Sequence, residues 1–152
     1  MDFLNKYPHC IDEQINRTIQ TNVVLKESGR RYCLINSTNS WKVTKVQIED
    51  CVIKGIGEKG CEAVLITEKV KVTSRGYFIE LKGISVGHAF KQIENSLFKT
   101  KQDLIGVDLF GRVIPSEYKR TKFLESTEQR LILRFKSLGG NFIVRENCED
   151  RI

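Results

Sequence analysis

The spacing of apolar residues along the chain changes once, close to Gly83. Before that point apolar and polar residues alternate in short β-branched runs. "RYCLIN" (31–36), "VTKVQIEDCVI" (43–53), "CEAVLIT" (61–67) and "YFIELK" (77–82) each predict a strand. The turn-rich "STNS", the glycine-punctuated "KGIGEKG" and a Ser74-Arg75-Gly76 turn separate them. The short polar connection between the last two runs predicts an antiparallel hairpin of 61–67 with 77–82. Past Gly83 the period is helical. Val86, Ala89, Phe90, Ile93 and Leu97 form one apolar stripe, predicting a helix over about 86–98. A strand follows over 105–114, ended by Pro115. A helix over 121–138 places Leu124, Leu131, Phe135 and Leu138 on one side and stops at Gly139-Gly140, and 141–146 is the last strand. At the N-terminus, Ile15, Ile19 and Val23 recur at a spacing of four and predict a helix over 11–25, within a helical extension spanning 1–28. Strands first, then alternating helix and strand, predict one α/β domain over 1–152, with a mixed central β-sheet flanked by α-helices.

Composition narrows the class without naming an activity. The chain has 152 residues, enough for one domain with a real core. No apolar run is long enough to span a membrane, and the N-terminal "MDFLNKYPHC" lacks the layout of a secretory signal. The five cysteines (Cys10, Cys33, Cys51, Cys61, Cys148) form no CxxC pair, which predicts reduced thiols and a cytoplasmic location. His9-Cys10 offers half of a metal site, with no second close pair in the sequence. The formal charge of +6 favours an anionic partner, with basic residues concentrated at Lys99 and Lys101, at Lys119, Arg120 and Lys122, and at Arg130, Arg134 and Lys136.

Candidate chemistry begins at "YFIELKG". Strand alternation puts Phe78, Glu80 and Lys82 on one face and Tyr77, Ile79 and Leu81 on the other. Burying a carboxylate costs several kcal/mol unless it is paired or holds a metal. Glu80 and Lys82 as an exposed ion pair is the simple reading. However, Glu62 opens the apolar run "CEAVLIT", and Glu49 and Asp50 interrupt "KVQIEDCVI". Acids on three neighbouring strands make sense if they converge on a divalent cation, since Mg²⁺ takes hard oxygen ligands.

These residues resemble the PD-(D/E)xK nucleases, the restriction-endonuclease-like superfamily, and within it the small domains similar to Holliday-junction resolvases. The resemblance spans residues 30–146 and is most specific at Glu80-Leu81-Lys82. It implies that Glu62, Glu80 and Glu49 (or Asp50) hold Mg²⁺ or Mn²⁺, with the Leu81 carbonyl as a further ligand. It implies that Lys82 positions the attacking water, and that Gln92, on the following helix, orients Lys82 or that water. His88, one turn before Gln92, is read first as an interfacial histidine satisfied by the backbone. The chain departs from the pattern at Glu62, where aspartate is usual.

The expected activity is metal-dependent phosphodiester hydrolysis by an endonuclease, with DNA ahead of RNA as substrate. Lys99, Lys101, Lys119, Arg120 and Lys122 would hold the nucleic-acid backbone. The alternative is a catalytically degenerate module of the same fold that binds nucleic acid or a protein partner. A homodimer or a partner protein would supply targeting, and exposed apolar residues around Phe98, Leu104 or Phe123 would favour a subunit role.

Overall fold

The computed structural model describes residues 1–82 and 85–152, with Lys82 described in its backbone alone. A short helix α1 (Asp2–Lys6) and a 3₁₀ turn (Pro8–Cys10) lead into the hairpin β1 (Asn22–Glu27) and β2 (Arg30–Ile35). Then come β3 (Lys42–Gln47), β4 (Ala63–Lys69), β5 (Val72–Lys82), α2 (Val86–Thr100), β6 (Asp108–Pro115), α3 (Lys122–Ser137), β7 (Gly139–Val144) and β8 (Asn147–Arg151). The fold is α/β. A five-stranded mixed sheet has the order β3-β4-β5-β6-β7, and a separate three-stranded sheet has the order β1-β2-β8.

The mixed character follows from the connections. β3, β4 and β5 follow one another as antiparallel neighbours, whereas α2 and α3 are the crossovers that make β5, β6 and β7 parallel. Alternation along β5 feeds two cores. Phe78 points to the helix side with Val64, Phe90, Ile93 and Phe135. Tyr77, Ile79 and Leu81 point to the other side, against Val23, Leu25, Tyr32 and Leu34 of the small sheet. The stripe predicted for α2 is buried throughout, at Val86, Ala89, Phe90, Ile93 and Leu97. At Gly111 an added Cβ would lie 2.6 Å from Phe142 and 2.8 Å from Phe135, so glycine is what lets these two rings stack on β6.

The two sheets are joined by a buried polar cluster. Arg112 on β6, 1% exposed, donates from Nε and Nη2 to the Asp150 carboxylate of β8 at 2.7 and 3.0 Å. The Tyr32 hydroxyl of β2 donates to the same carboxylate at 2.8 Å. Arg112 Nη1 donates to the carbonyls of Gly111 and Asn141. Burial pulls the Arg112 pKa down, and the bonds and charge of Asp150 more than offset it, so the net shift is upward. Burial first, then Asp150, raises Tyr32 well above its ordinary value.

Two expectations are corrected. The helix over 11–25 does not form. Residues 11–18 instead run along the free edge of β3, with Asp12 N donating to Lys45 O, Lys45 N to Ile15 O, and Thr18 and Val43 exchanging bonds. The period-four isoleucines are outweighed by an unpaired sheet edge, whose N–H and C=O groups need partners. The cysteines are not all thiols either. Cys10 and Cys51 are disulfide-bonded across 41 positions, with Cα atoms 5.7 Å apart. Cys33, Cys61 and Cys148 are free and buried. Desolvation pushes the Cys148 thiol up to about 11, with Asp150 adding to it.

Candidate functional site

The predicted hairpin is present as β4 and β5, but it turns at Val70-Lys71, and Ser74-Arg75-Gly76, expected as the turn, lie within β5. The last registered pair at its open end is Ala63 opposite Ile79. Glu62 is the residue before that pair on one strand, and Glu80 the residue after it on the other. The hairpin therefore delivers both acids to its open end, where β3 ends and the chain turns through residues 48–53. A cleft of about 590 Å³ opens there, and its walls include Glu49, Glu62, Glu80 and Leu81, four of the residues expected at the site. Asp50 lines it too, on a turn that holds it at φ 60°. Of the acids, Glu80 is the most deeply placed, 4% exposed.

The charge in the cleft is mixed. Burial raises the Glu62 pKa, Glu27 and Glu49 raise it further, and Lys45 and Arg30 oppose them. Glu62 Oε2 and Arg30 Nε are both buried without a hydrogen-bond partner among the described residues. Glu49 lies 3.9 Å from Lys59, and Lys45 is 3.5 Å from Asp12. Arg30 and Lys45, both on the cleft wall, give it cationic groups beside the acids. Carboxylate oxygens of this kind fit a hard divalent cation, and an orphaned carboxylate oxygen gains most from one.

The acids do not close into one tight cluster. Among the described residues, the single group of three or more His, Cys, Asp or Glu ligand atoms mutually within 4.8 Å is His9, Cys10 and Cys51. Glu62 takes its strongest charge interactions from Glu27, Lys45, Glu49 and Arg30, two of them on the β1–β2 hairpin. Glu80 acts on Cys61, which belongs to the helix-side core.

Gln92 is not among the residues that line the cleft, and its amide nitrogen is engaged elsewhere. Its Nε2 donates to Gly60 O at 3.0 Å, Asn95 Nδ2 donates to Lys59 O at 2.6 Å, and Ser96 Oγ accepts from Cys61 N at 2.8 Å. Positions 92, 95 and 96 share one helix face, and together they strap α2 to the three residues that lead into Glu62. Gly60 makes the close approach feasible, since a Cβ there would sit 2.8 Å from Ile48 and 3.0 Å from Ile53. Gln92 thus positions the acid-bearing segment from behind. His88 is exposed beside Lys91 and Gln92 on a neighbouring groove. The Lys82 side chain, expected to serve the water, lies outside the described residues.

The expected phosphate-binding residues lie away from the cleft walls. Lys99 pairs with Glu58 at 3.5 Å, and Lys101 stands 5.6 Å from the Phe98 ring. Arg120 is engaged by Glu128 at 3.3 Å and by the Tyr118 ring at 4.5 Å. Lys119 and Lys122 are exposed. Phe98 and Phe123 are exposed as well, whereas Leu104 is buried. Arg30 and Lys45, the basic residues that do line the cleft, were missed because each occupies an ordinary place in a strand. Nothing in their neighbours marks them: Lys45 reaches Glu62 through the pairing of β3 with β4, and Arg30 through the packing of the small sheet over the large one. No helix among the described residues is long and apolar enough to cross a membrane. No protein family model matches the chain, and no match was found among curated proteins or solved structures.

Proposed function

We propose that the protein hydrolyses phosphodiester bonds of nucleic acid, DNA ahead of RNA, with a divalent cation held at the β4–β5 cleft. The observation that carries this reading is the arrival of Glu49, Glu62, Glu80 and Leu81 at one cleft from three separate segments. The order of elements supports the resemblance to PD-(D/E)xK nucleases, because Glu80-Leu81-Lys82 ends a central strand whose hairpin partner follows Glu62. Mg²⁺ or Mn²⁺, when bound, would supply the positive charge that neutralises the phosphate oxygens in the transition state. Glu62 and Glu80 would hold it, with Glu49 and the Leu81 carbonyl within the same cleft. Arg30 and Lys45 would fix the phosphate, and Lys82 would orient the water for in-line attack. Gln92 would act indirectly, by holding the segment that carries Glu62.

A second reading has its own support. Glu49, Glu62 and Glu80 are not mutually within 4.8 Å, and a lengthened acid at position 62 suits a fold that binds nucleic acid or a partner without cutting it. One experiment separates the two: labelled flaps, junctions, duplex and single strands of DNA and RNA incubated with Mg²⁺ or Mn²⁺. Cleavage by the parent, lost in Glu80→Ala and Lys82→Ala with binding retained, supports hydrolysis. No cleavage by the parent or by Glu62→Asp favours the binding module.

A further inference from the structure

We propose that His9, Cys10 and Cys51 form a second metal site, for a thiophilic divalent cation such as Zn²⁺, present when the Cys10–Cys51 bond is open. The three donors come from two segments. His9 and Cys10 lie on the 3₁₀ turn Pro8–Cys10, and Cys51 lies on the tight turn after β3. Their ligand atoms are all within 4.8 Å of one another. A tetrahedral cation with Zn–S near 2.3 Å and Zn–N near 2.0–2.1 Å can reach three such atoms at once with small side-chain adjustments.

The donors stay together without the sulfur–sulfur bond, because other contacts hold both segments. Ile48 O accepts from Cys51 N and Ile53 N at 3.2 and 2.9 Å, which fixes the turn bearing Cys51. Just past Cys10, Ile11 bridges Val46 and Asp12 N donates to Lys45 O at 2.9 Å, tying the first segment to the same strand. Phe3 and Leu4 are buried in the helix-side core. His9 is exposed and Cys51 half-buried, which gives a reductant and a cation a way in, while Cys10 is buried at 3%. His9 and Cys10 also line the acidic cleft. Their softness separates the two donor sets: thiolates and imidazole select Zn²⁺, carboxylates select Mg²⁺ or Mn²⁺.

The chemistry balances with an external dithiol as reductant. The dithiol gives up two electrons and two protons and becomes a disulfide, while Cys10 and Cys51 each become a thiol. Cation binding then displaces the two thiol protons to solvent, with neutral His9 as third ligand and water in the fourth position. In an oxidising compartment the disulfide persists and the site is absent, and in a reducing one the site is available. This inference is independent of the nuclease reading.

The test uses the full chain, prepared metal-free in oxidised and reduced forms and titrated with Co²⁺, then with Zn²⁺ in competition. The expected result for the reduced protein is one Co²⁺ per chain, with a thiolate-to-cobalt charge-transfer band and the visible bands of a tetrahedral ion, displaced by Zn²⁺. The oxidised protein, Cys10→Ser and Cys51→Ser should lack the charge-transfer band. His9→Ala should weaken affinity by more than the roughly 10–100-fold typical of losing an outer partner. Glu80→Ala should leave the spectrum unchanged. A charge-transfer band that persists in the oxidised protein or in Cys51→Ser overturns the proposal, as does its absence from the reduced parent at stoichiometric Co²⁺. Should a serine variant fail to fold, the oxidised-against-reduced comparison on the unmutated chain decides alone.

Discussion

Asp150→Ala should be among the most destabilising single changes outside the apolar core. The Asp150 carboxylate accepts from Arg112 Nε at 2.7 Å, from Arg112 Nη2 at 3.0 Å and from the Tyr32 hydroxyl at 2.8 Å. Without it a guanidinium that is 1% exposed keeps, among the described residues, the Gly111 and Asn141 carbonyls as its hydrogen-bond acceptors, both on Nη1, and the Tyr77 and Phe110 rings beside it. Leaving a buried charge unpaired costs about 3–5 kcal/mol. For a chain of this size each kcal/mol lowers Tm by about 2–4 °C, so the expected fall is on the order of 6–20 °C. Tyr32→Phe removes one hydrogen bond to a charged acceptor, so about 1.5–3 kcal/mol is expected. The decisive variant is the double change Arg112→Met with Asp150→Leu. Replacing both ions by apolar groups removes the unpaired charge along with the pair, so the double variant should be more stable than Asp150→Ala. Urea unfolding followed by circular dichroism, and by the fluorescence of the single tryptophan, Trp41 (6% exposed), reads all three. A cost under about 1 kcal/mol for Asp150→Ala, or a double variant no better than Asp150→Ala, would refute the reasoning.

Two more outcomes are expected from the cleft. Glu62 is raised in the folded protein, by burial and then by Glu27 and Glu49. Its protonated form is therefore favoured by folding, and the stability it contributes is present at low pH and lost as pH rises through its elevated pKa. The proposed cation would compete with that proton, so Mn²⁺ affinity should climb over the same pH range, and calorimetry on Glu62→Gln should show a flatter pH profile. Gln92→Ala should lower stability by about 1 kcal/mol, the value of one hydrogen bond, and should weaken Mn²⁺ binding only modestly, because its Nε2 holds Gly60 O rather than a ligand. Loss of Mn²⁺ binding as complete as in Glu80→Ala would return Gln92 to the site itself.

Local pattern was enough to locate the hairpin, α2, β6, α3 and β7, because each element there carries its own period and punctuation. Val86, Ala89, Phe90, Ile93 and Leu97 are buried as their spacing requires, and Gly139, at φ 88°, follows the end of α3. From these came the mixed α/β class and the acids worth watching, Glu49, Glu62 and Glu80. What the pattern could not carry was anything depending on a partner distant in sequence. Residues 11–18 hold a helical spacing yet pair with β3, because an unsatisfied sheet edge outweighs a weak local preference. β8 is a polar strand, "NCEDR", whose place is set by pairing with β2 and by the Arg112–Asp150 bonds. The helix position of Gln92 does not show that its Nε2 holds Gly60 O, because a side chain's partner is whatever the packing presents. Cys10 and Cys51 meet across 41 residues, and Arg30 meets Glu62 only because the small sheet lies over the large one. The sequence alone determined which residues have chemistry to offer. The tertiary structure decided which of them share a cleft, since proximity is set by long-range packing and leaves no local trace.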